Sequence, residues 1–104
     1  MTQSDIIPFL LAKGFSAQYR GFTNLAELLS YSTEHPDQIH SITGMYQSVA
    51  QLHVTNAACI EHNIRYLLEA WHIAAGKENQ PRLSNKIVIR TLTLELLEKY
   101  YHNE

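Results

Sequence analysis

Residues 49–64, VAQLHVTNAACIEHNI, decide the fold, because two helical patterns meet there across a short break. In a helix-turn-helix, a small residue of the first helix lets the second helix approach closely, and an apolar residue of the second packs back on the first. Ala50 is the small residue, and Ile60 and Ile64 are apolar residues at helical spacing in the second helix. The turn position usually prefers glycine, and Val54 departs from that preference. The stretch therefore predicts a helix-turn-helix, a motif of many DNA-binding domains that other helical hairpins share.

Five helical segments are predicted along the whole chain. They are residues 4 or 5 to 13, 24–33, 38–52, 57–75 and 84–101. Asn24 and Glu27 have the spacing of a capping box at the start of the second segment. Gly44 leaves open whether the third segment is one helix or two short ones. Thr55 or Asn56 caps the fourth segment.

The final segment contains many β-branched residues at its start, between residues 86 and 94, where a strand would look similar. However, Ile89, Leu92, Leu96 and Tyr100 keep the helical period, and no partner strand is apparent elsewhere. We therefore predict an all-α fold of five to six helices around the helix-turn-helix. The expected domain is a compact bundle over residues 1–104, unlike a winged helix.

Composition excludes several classes of protein. The chain has 104 residues, 45% of them hydrophobic and 17% charged, which argues against intrinsic disorder. The single Cys59 cannot form an intramolecular disulfide, and the apolar run near the N-terminus is too short for a signal peptide or membrane span. We therefore expect a cytoplasmic protein with no membrane contact.

No histidine pair has the spacing of a zinc site, and neither a nucleophile–base pair nor a glycine-rich phosphate loop is present. We expect no metal, no cofactor and no enzymatic activity.

A family resemblance extends from about Phe15 to Ala75 and, more loosely, into the final helix. It rests on Gly21-Phe22, Leu25, Ser41-Ile42-Thr43, Tyr46, Val49-Ala50, Thr55, Ala57, Ile60-Glu61, Ile64-Arg65 and Glu69. These residues resemble the DNA-binding effector domain of the master sporulation response regulator of endospore-forming bacteria. The resemblance implies a transcriptional regulator whose fourth helix enters the major groove of promoter-type double-stranded DNA. It covers the effector domain only, so we expect a stand-alone domain without a receiver domain.

The resemblance also implies a set of DNA-facing residues on the helix that begins near Asn56. Arg65 keeps one of the family's arginines and Glu61 keeps its acidic neighbour, whereas Cys59, His62 and Tyr66 replace other basic side chains. The candidate DNA-binding residues are Thr55, Asn56, Ala58, Cys59, Glu61, His62, Arg65 and Tyr66. Arg65 has a second interpretation, as a solvated side chain paired with Glu61 or Glu69 on the same helix face.

Two further expectations concern partners. The formal net charge of −2 and the lost arginines favour an alternative function, in which the helix-turn-helix has lost or weakened DNA binding and engages a protein, modulating another regulator. The final helix is apolar around much of its circumference, which indicates deep burial or a homodimer contact. The residues of that pattern are Leu92, Leu94, Leu96, Leu97, Tyr100 and Tyr101.

Overall fold

The computed structural model describes residues 1–102, and these form five α-helices and one short 3-10 helix. The elements are α1 (Gln3–Ala12), α2 (Arg20–Glu34), the 3-10 helix (Pro36–Gln38), α3 (Ile42–Leu52), α4 (Ala57–Ala74) and α5 (Asn85–His102). No strand occurs in this part of the chain, and the predicted all-α class is confirmed. Residues 103 and 104, the end of the expected domain, lie outside the described residues.

The second helix is central to the fold, because α2 packs against each of the other four α-helices. Its Leu25, Leu28 and Leu29 have no solvent exposure. All five helices contribute fully buried apolar side chains to one core. They include Ile6, Leu10, Leu25, Leu28, Leu29, Met45, Val49, Ile60, Ile64, Leu67, Leu68 and Ile89. The β-branched start of α5 is helical as predicted, because Val88 and Ile89 face this core.

A close approach between α2 and α4 lies at Gly21, near the start of α2. A Cβ atom at this position would lie 2.2 Å from the backbone oxygen of Asn63 in α4 and 3.0 Å from Leu67 Cβ. Next to this contact, Asn63 Nδ2 donates a hydrogen bond to Oδ1 of the buried Asn24, at 3.0 Å. The absent side chain of Gly21 thus allows α2 and α4 to meet backbone to backbone, and the asparagine pair sets their register.

The predicted start of α2 was wrong. The helix begins at Arg20 and not near Asn24, so Asn24 and Glu27 lie inside it and do not form a capping box. Their side chains are buried against other elements, Asn24 with Asn63 and Glu27 with His53. Residues three apart also lie on the same face inside a helix, so the same spacing fits two buried positions of α2, which explains the error.

Two smaller boundaries also differ from the prediction. The interruption in the third segment does not fall at Gly44, which lies inside α3. It falls at residues 39–41, which separate the short 3-10 helix begun by Pro36 from the start of α3 at Ile42. At the N-terminus α1 is preceded by Thr2 in place of Ser4, and the backbone N–H of Thr2 donates to the Asp5 carboxylate at 3.0 Å.

Trp71 connects the far end of α4 to the end of α1. Its Nε1 donates to the backbone carbonyl of Lys13 at 2.8 Å, and its ring stacks on Phe15 with centroids 4.4 Å apart. One of the carbonyls left over at the end of α1 is thereby satisfied. The contact fastens the C-terminal part of α4, while Ile60 and Ile64 anchor its first turns in the core.

We expect Gly21→Ala to destabilise the fold by about 2 kcal/mol or more, because a methyl group must push the backbones of α2 and α4 apart. The gain in helix propensity from glycine to alanine, about 1 kcal/mol, is too small to offset this clash. Urea unfolding followed by circular dichroism would measure the change.

Gly44→Ala is the matched control, because a Cβ at this position meets only the side chain of Ser41, with the movable Oγ at 3.0 Å and Cβ at 3.9 Å. This variant should be as stable as the parent protein or more stable. A Gly21→Ala protein with undiminished stability would contradict the close approach.

Candidate nucleic-acid interface

The predicted helix-turn-helix is formed by α3, α4 and the residues between them. Ala50 is buried in α3, and its carbonyl oxygen accepts hydrogen bonds from the backbone N–H groups of His53, at 3.1 Å, and Thr55, at 3.2 Å. These bonds close the turn. Ile60 and Ile64 of α4 pack into the core. The small residue, the turn and the returning apolar residues therefore all lie where the sequence placed them.

Val54 occupies the tip of the turn in a left-handed backbone conformation, with φ at +50°. Its side chain is 98% exposed and gains no packing energy there. A β-branched residue is strained in this conformation, which suits glycine. Valine in place of the usual glycine therefore strains the backbone at the turn, and the hydrogen bonds of His53 and Thr55 to Ala50 maintain this conformation.

Asn56, and not Thr55, caps α4. Its Oδ1 accepts a hydrogen bond from the backbone N–H of Cys59 at 2.9 Å. The bond satisfies one of the free N–H groups of the first turn. Thr55 remains exposed beside it. Both residues lie at the positive end of the α4 dipole, where a phosphate group would be attracted.

The turn is held against α2 by Glu27 and His53. His53 Nε2 lies 2.7 Å and 2.8 Å from the two carboxylate oxygens of Glu27. Glu27 is only 9% exposed, so its carboxylate depends on this partner. Sequence reasoning missed the pair, because the two residues are 26 positions apart and the only local signal at Glu27 suggested a cap.

The outer face of α4 carries most of the predicted DNA-binding side chains. Five of them are exposed on its first three turns: Ala58, Cys59, His62, Arg65 and Tyr66. His62 and Tyr66 are in edge-to-face contact, with ring centroids 4.6 Å apart. Thr55 and Asn56 precede them, and Glu61 lies half-buried at the side of this face. The structure thus brings all eight predicted residues onto one end and one side of α4, which we call the α4 face.

Arg65 is the cation of the α4 face, and it is paired with an acid. Its Nη2 donates to Glu61 Oε2 at 2.8 Å, one helical turn away. The pairing with Glu61 proposed from the sequence is therefore present, in an exposed geometry where an ion pair contributes little stability. Such a guanidinium can exchange its partner for another acceptor at low cost.

Asn85, at the start of α5, connects a second arginine to the α4 face. Its Nδ2 lies 3.4 Å from Glu61 Oε1 and 3.4 Å from the Tyr46 hydroxyl, and its Oδ1 accepts from Arg82 Nη2 at 3.1 Å. Burial is the main cause that raises the pKa of Tyr46, so its phenol stays protonated at neutral pH. Sequence reasoning missed Asn85, the residue that positions Arg82 beside the α4 face.

This geometry defines a helix-turn-helix domain that presents the start of its second helix to solvent. The family model described as "Sporulation initiation factor Spo0A C terminal" matches residues 6–95. The chain therefore belongs to this family, whose members are DNA-binding regulatory domains and not enzymes. A comparison with curated proteins found no match. Within residues 1–102, no helix combines the length and the apolar character needed to span a membrane.

We expect Val54→Gly to stabilise the protein by about 0.5–1 kcal/mol, because glycine adopts a positive φ without strain and no packed side chain is lost. The corresponding increase in melting temperature is about 2–8 °C for a domain of this size. Differential scanning calorimetry would measure it. Val54→Ala keeps a Cβ at the strained position and should gain less than the glycine variant. A glycine variant no more stable than both the parent and the alanine variant would show that strain at Val54 is smaller than the extra entropy that glycine gives the unfolded chain, and would contradict the prediction.

Proposed function

We propose that this protein is a sequence-specific transcriptional regulator that reads the major groove of promoter DNA with the α4 face. The observation that carries the proposal is the exposure of this face on a helix that the remainder of the fold holds firmly. A helix of this diameter fits the major groove, which is about 12 Å wide. Membership in a family of DNA-binding domains supports the same function.

Different roles follow from the positions of the residues. Arg65, the exposed cation, is suited to bidentate contact with guanine after it leaves Glu61. Thr55 and Asn56 lie at the helix start, where backbone N–H groups and the helix dipole favour a phosphate. Arg82, held by Asn85 beside Glu61, is suited to a second phosphate contact.

An alternative function is supported by a separate observation. Three apolar or aromatic side chains of the turn region and the α4 face are largely exposed, with Leu52 at 66%, Val54 at 98% and Tyr66 at 57%. Protein interfaces are rich in aromatic anchors and poor in charge at their centres. With a net charge of −2 and a paired Arg65, this surface also suits a protein-interaction module that modulates another regulator.

The same purified protein distinguishes these two functions. In fluorescence anisotropy with a random pool of duplexes, we expect binding that weakens as salt rises, because displaced counterions drive such binding. Selection from the pool should enrich one sequence. On that sequence, Arg65→Ala should weaken binding by about tenfold to a hundredfold, which is the cost of losing one bidentate base contact.

Two matched variants serve as controls. Lys99→Ala removes the same charge beside Phe9 of α1, away from the α4 face, and should leave affinity nearly unchanged. Glu61→Gln removes the acid that holds Arg65 and should strengthen binding to random duplexes. If the folded protein binds no duplex even at low salt, DNA reading is refuted and the protein-interaction module becomes the better account.

We also propose that α5 provides a homodimer contact. Leu92 and Leu96 are buried in the core, whereas Leu94 is 54% exposed, so deep burial accounts for only part of the apolar pattern. The side chain of Tyr101, part of the predicted pattern, lies outside the described residues. Light scattering at high protein concentration should show dimers that Leu94→Glu reduces. A monodisperse monomer would contradict the contact.

A further inference from the structure

The α4 face is chemically unusual for a surface that reads DNA. Along its exposed ridge it carries a methyl group at Ala58, a thiol at Cys59, an imidazole at His62 and a phenol at Tyr66. Arg65 is its permanent cation. Residues four apart lie on the same side of a helix, and the His62–Tyr66 ring contact confirms that the ridge is continuous. Most of this ridge therefore cannot form the bidentate donor pair that guanine accepts.

The acid on this face serves Arg65 and Asn85. One oxygen of Glu61 accepts from Arg65 and the other faces Asn85 Nδ2. When Arg65 leaves Glu61 to contact a guanine, the freed oxygen can accept a hydrogen bond from the N4 amino group of a cytosine, so this pair of side chains is suited to G·C base pairs. Ala58 and Tyr66 are the exposed apolar and aromatic side chains of the same ridge.

The major groove displays one apolar group, the C5-methyl of thymine, and alanine and aromatic side chains are suited to contact it. Ala58 and Tyr66 are exposed and are eight residues apart, a separation of about 12 Å along the helix axis. At about 3.4 Å per base pair this corresponds to roughly three to four base pairs. Arg65 lies within the same turn of α4 as Tyr66, so we expect its side chain to read a base pair next to the one that Tyr66 contacts.

We infer that this chain recognises two thymine methyl groups three to four base pairs apart, one through Ala58 and one through Tyr66, with a single guanine read by Arg65 next to the second thymine. The inference rests on the proposed function and states which base pairs the α4 face selects. Ala58 and Tyr66 are then specificity-determining residues that act through apolar contact.

Replacing thymine by deoxyuridine tests this directly, because it removes the methyl group and leaves every hydrogen-bonding group of the base pair. Duplexes selected from a random pool would be resynthesised with deoxyuridine at one thymine at a time, and their dissociation constants measured by anisotropy at fixed low salt. We expect the dissociation constant to rise about fourfold at each of two positions, the effect of losing one buried methyl group. Substitution at flanking thymines should change nothing.

Variants assign each methyl group to its side chain. Tyr66→Ala should abolish the deoxyuridine effect at the thymine beside the guanine, and Ala58→Gly should abolish it at the other. Ile73→Ala, an exposed apolar change further along α4, should preserve both effects. Circular dichroism would verify folding. Because glycine weakens a helix, Ala58→Ser provides a second variant with better helix propensity.

The outcomes distinguish thymine recognition by Ala58 and Tyr66 from DNA reading by α4 in general. The thymine inference is overturned if deoxyuridine changes the dissociation constant at no position, or if the selected sites have G·C pairs at both positions. Either result leaves DNA reading by α4 intact. A folded protein that binds no duplex at low salt overturns both. Two methyl-sensitive positions with the expected spacing, each lost in its own variant, establish the inference.

Discussion

The backbone contact between α2 and α4 at Gly21 is the constraint on which the rest of the structure depends. A helix can lie this close to another only where a side chain is missing, and here the backbone of Asn63 occupies that space. From this point α2 continues beneath the helix-turn-helix. Asn24 bonds to Asn63 one turn later, and Glu27 reaches His53 in the turn. Three residues spaced three apart on α2 thus position first α4 and then the turn that leads into it.

The polar contacts on this face act differently from the apolar core. Apolar packing is non-directional and would permit small rotations or sliding of α4 on α2. Moving a buried carboxylate or a buried carboxamide away from its partner costs free energy, since neither group can recover its hydrogen bonds to water. Glu27 and Asn24 therefore select one register among several that bury similar apolar area. Precise placement suits the proposed function, in which the outer side chains of α4 meet the edges of particular base pairs.

The sequence predicted the parts of the fold that depend on local pattern. Ala50, Ile60 and Ile64 identified the helix-turn-helix, and the helical period of α5 prevailed over its β-branched composition. Prediction failed where the spacing of two residues fits two different structures. The spacing of Asn24 and Glu27 fits a capping box, but their partners lie 39 and 26 positions away, beyond any local signal.

The candidate site shows the same division. The resemblance led to eight residues, and the structure places them on one end and one side of α4. The sequence alone could not choose between Thr55 and Asn56 as the cap of α4, because both side chains can accept a hydrogen bond from a helix N–H. The geometry of the turn decides in favour of Asn56. Nor could the sequence find Asn85, whose role depends on the meeting of the starts of α4 and α5.

The electrostatics of the α4 face determine what kind of DNA reader the proposed function describes. Affinity for arbitrary DNA comes mainly from cations that neutralise phosphates, and this chain has a net charge of −2 with its Arg65 held by Glu61. Such a protein spends little of its time on non-specific sites, which compete for a more basic regulator. Under the proposed function its affinity would come largely from direct base contacts, so occupancy of a promoter would respond strongly to a few base pairs and less strongly to salt than that of a more basic regulator. The resemblance implies that Cys59 and His62 replace arginines and that Tyr66 replaces a histidine, and these replacements fit a proposed reader with lower overall affinity and higher selectivity.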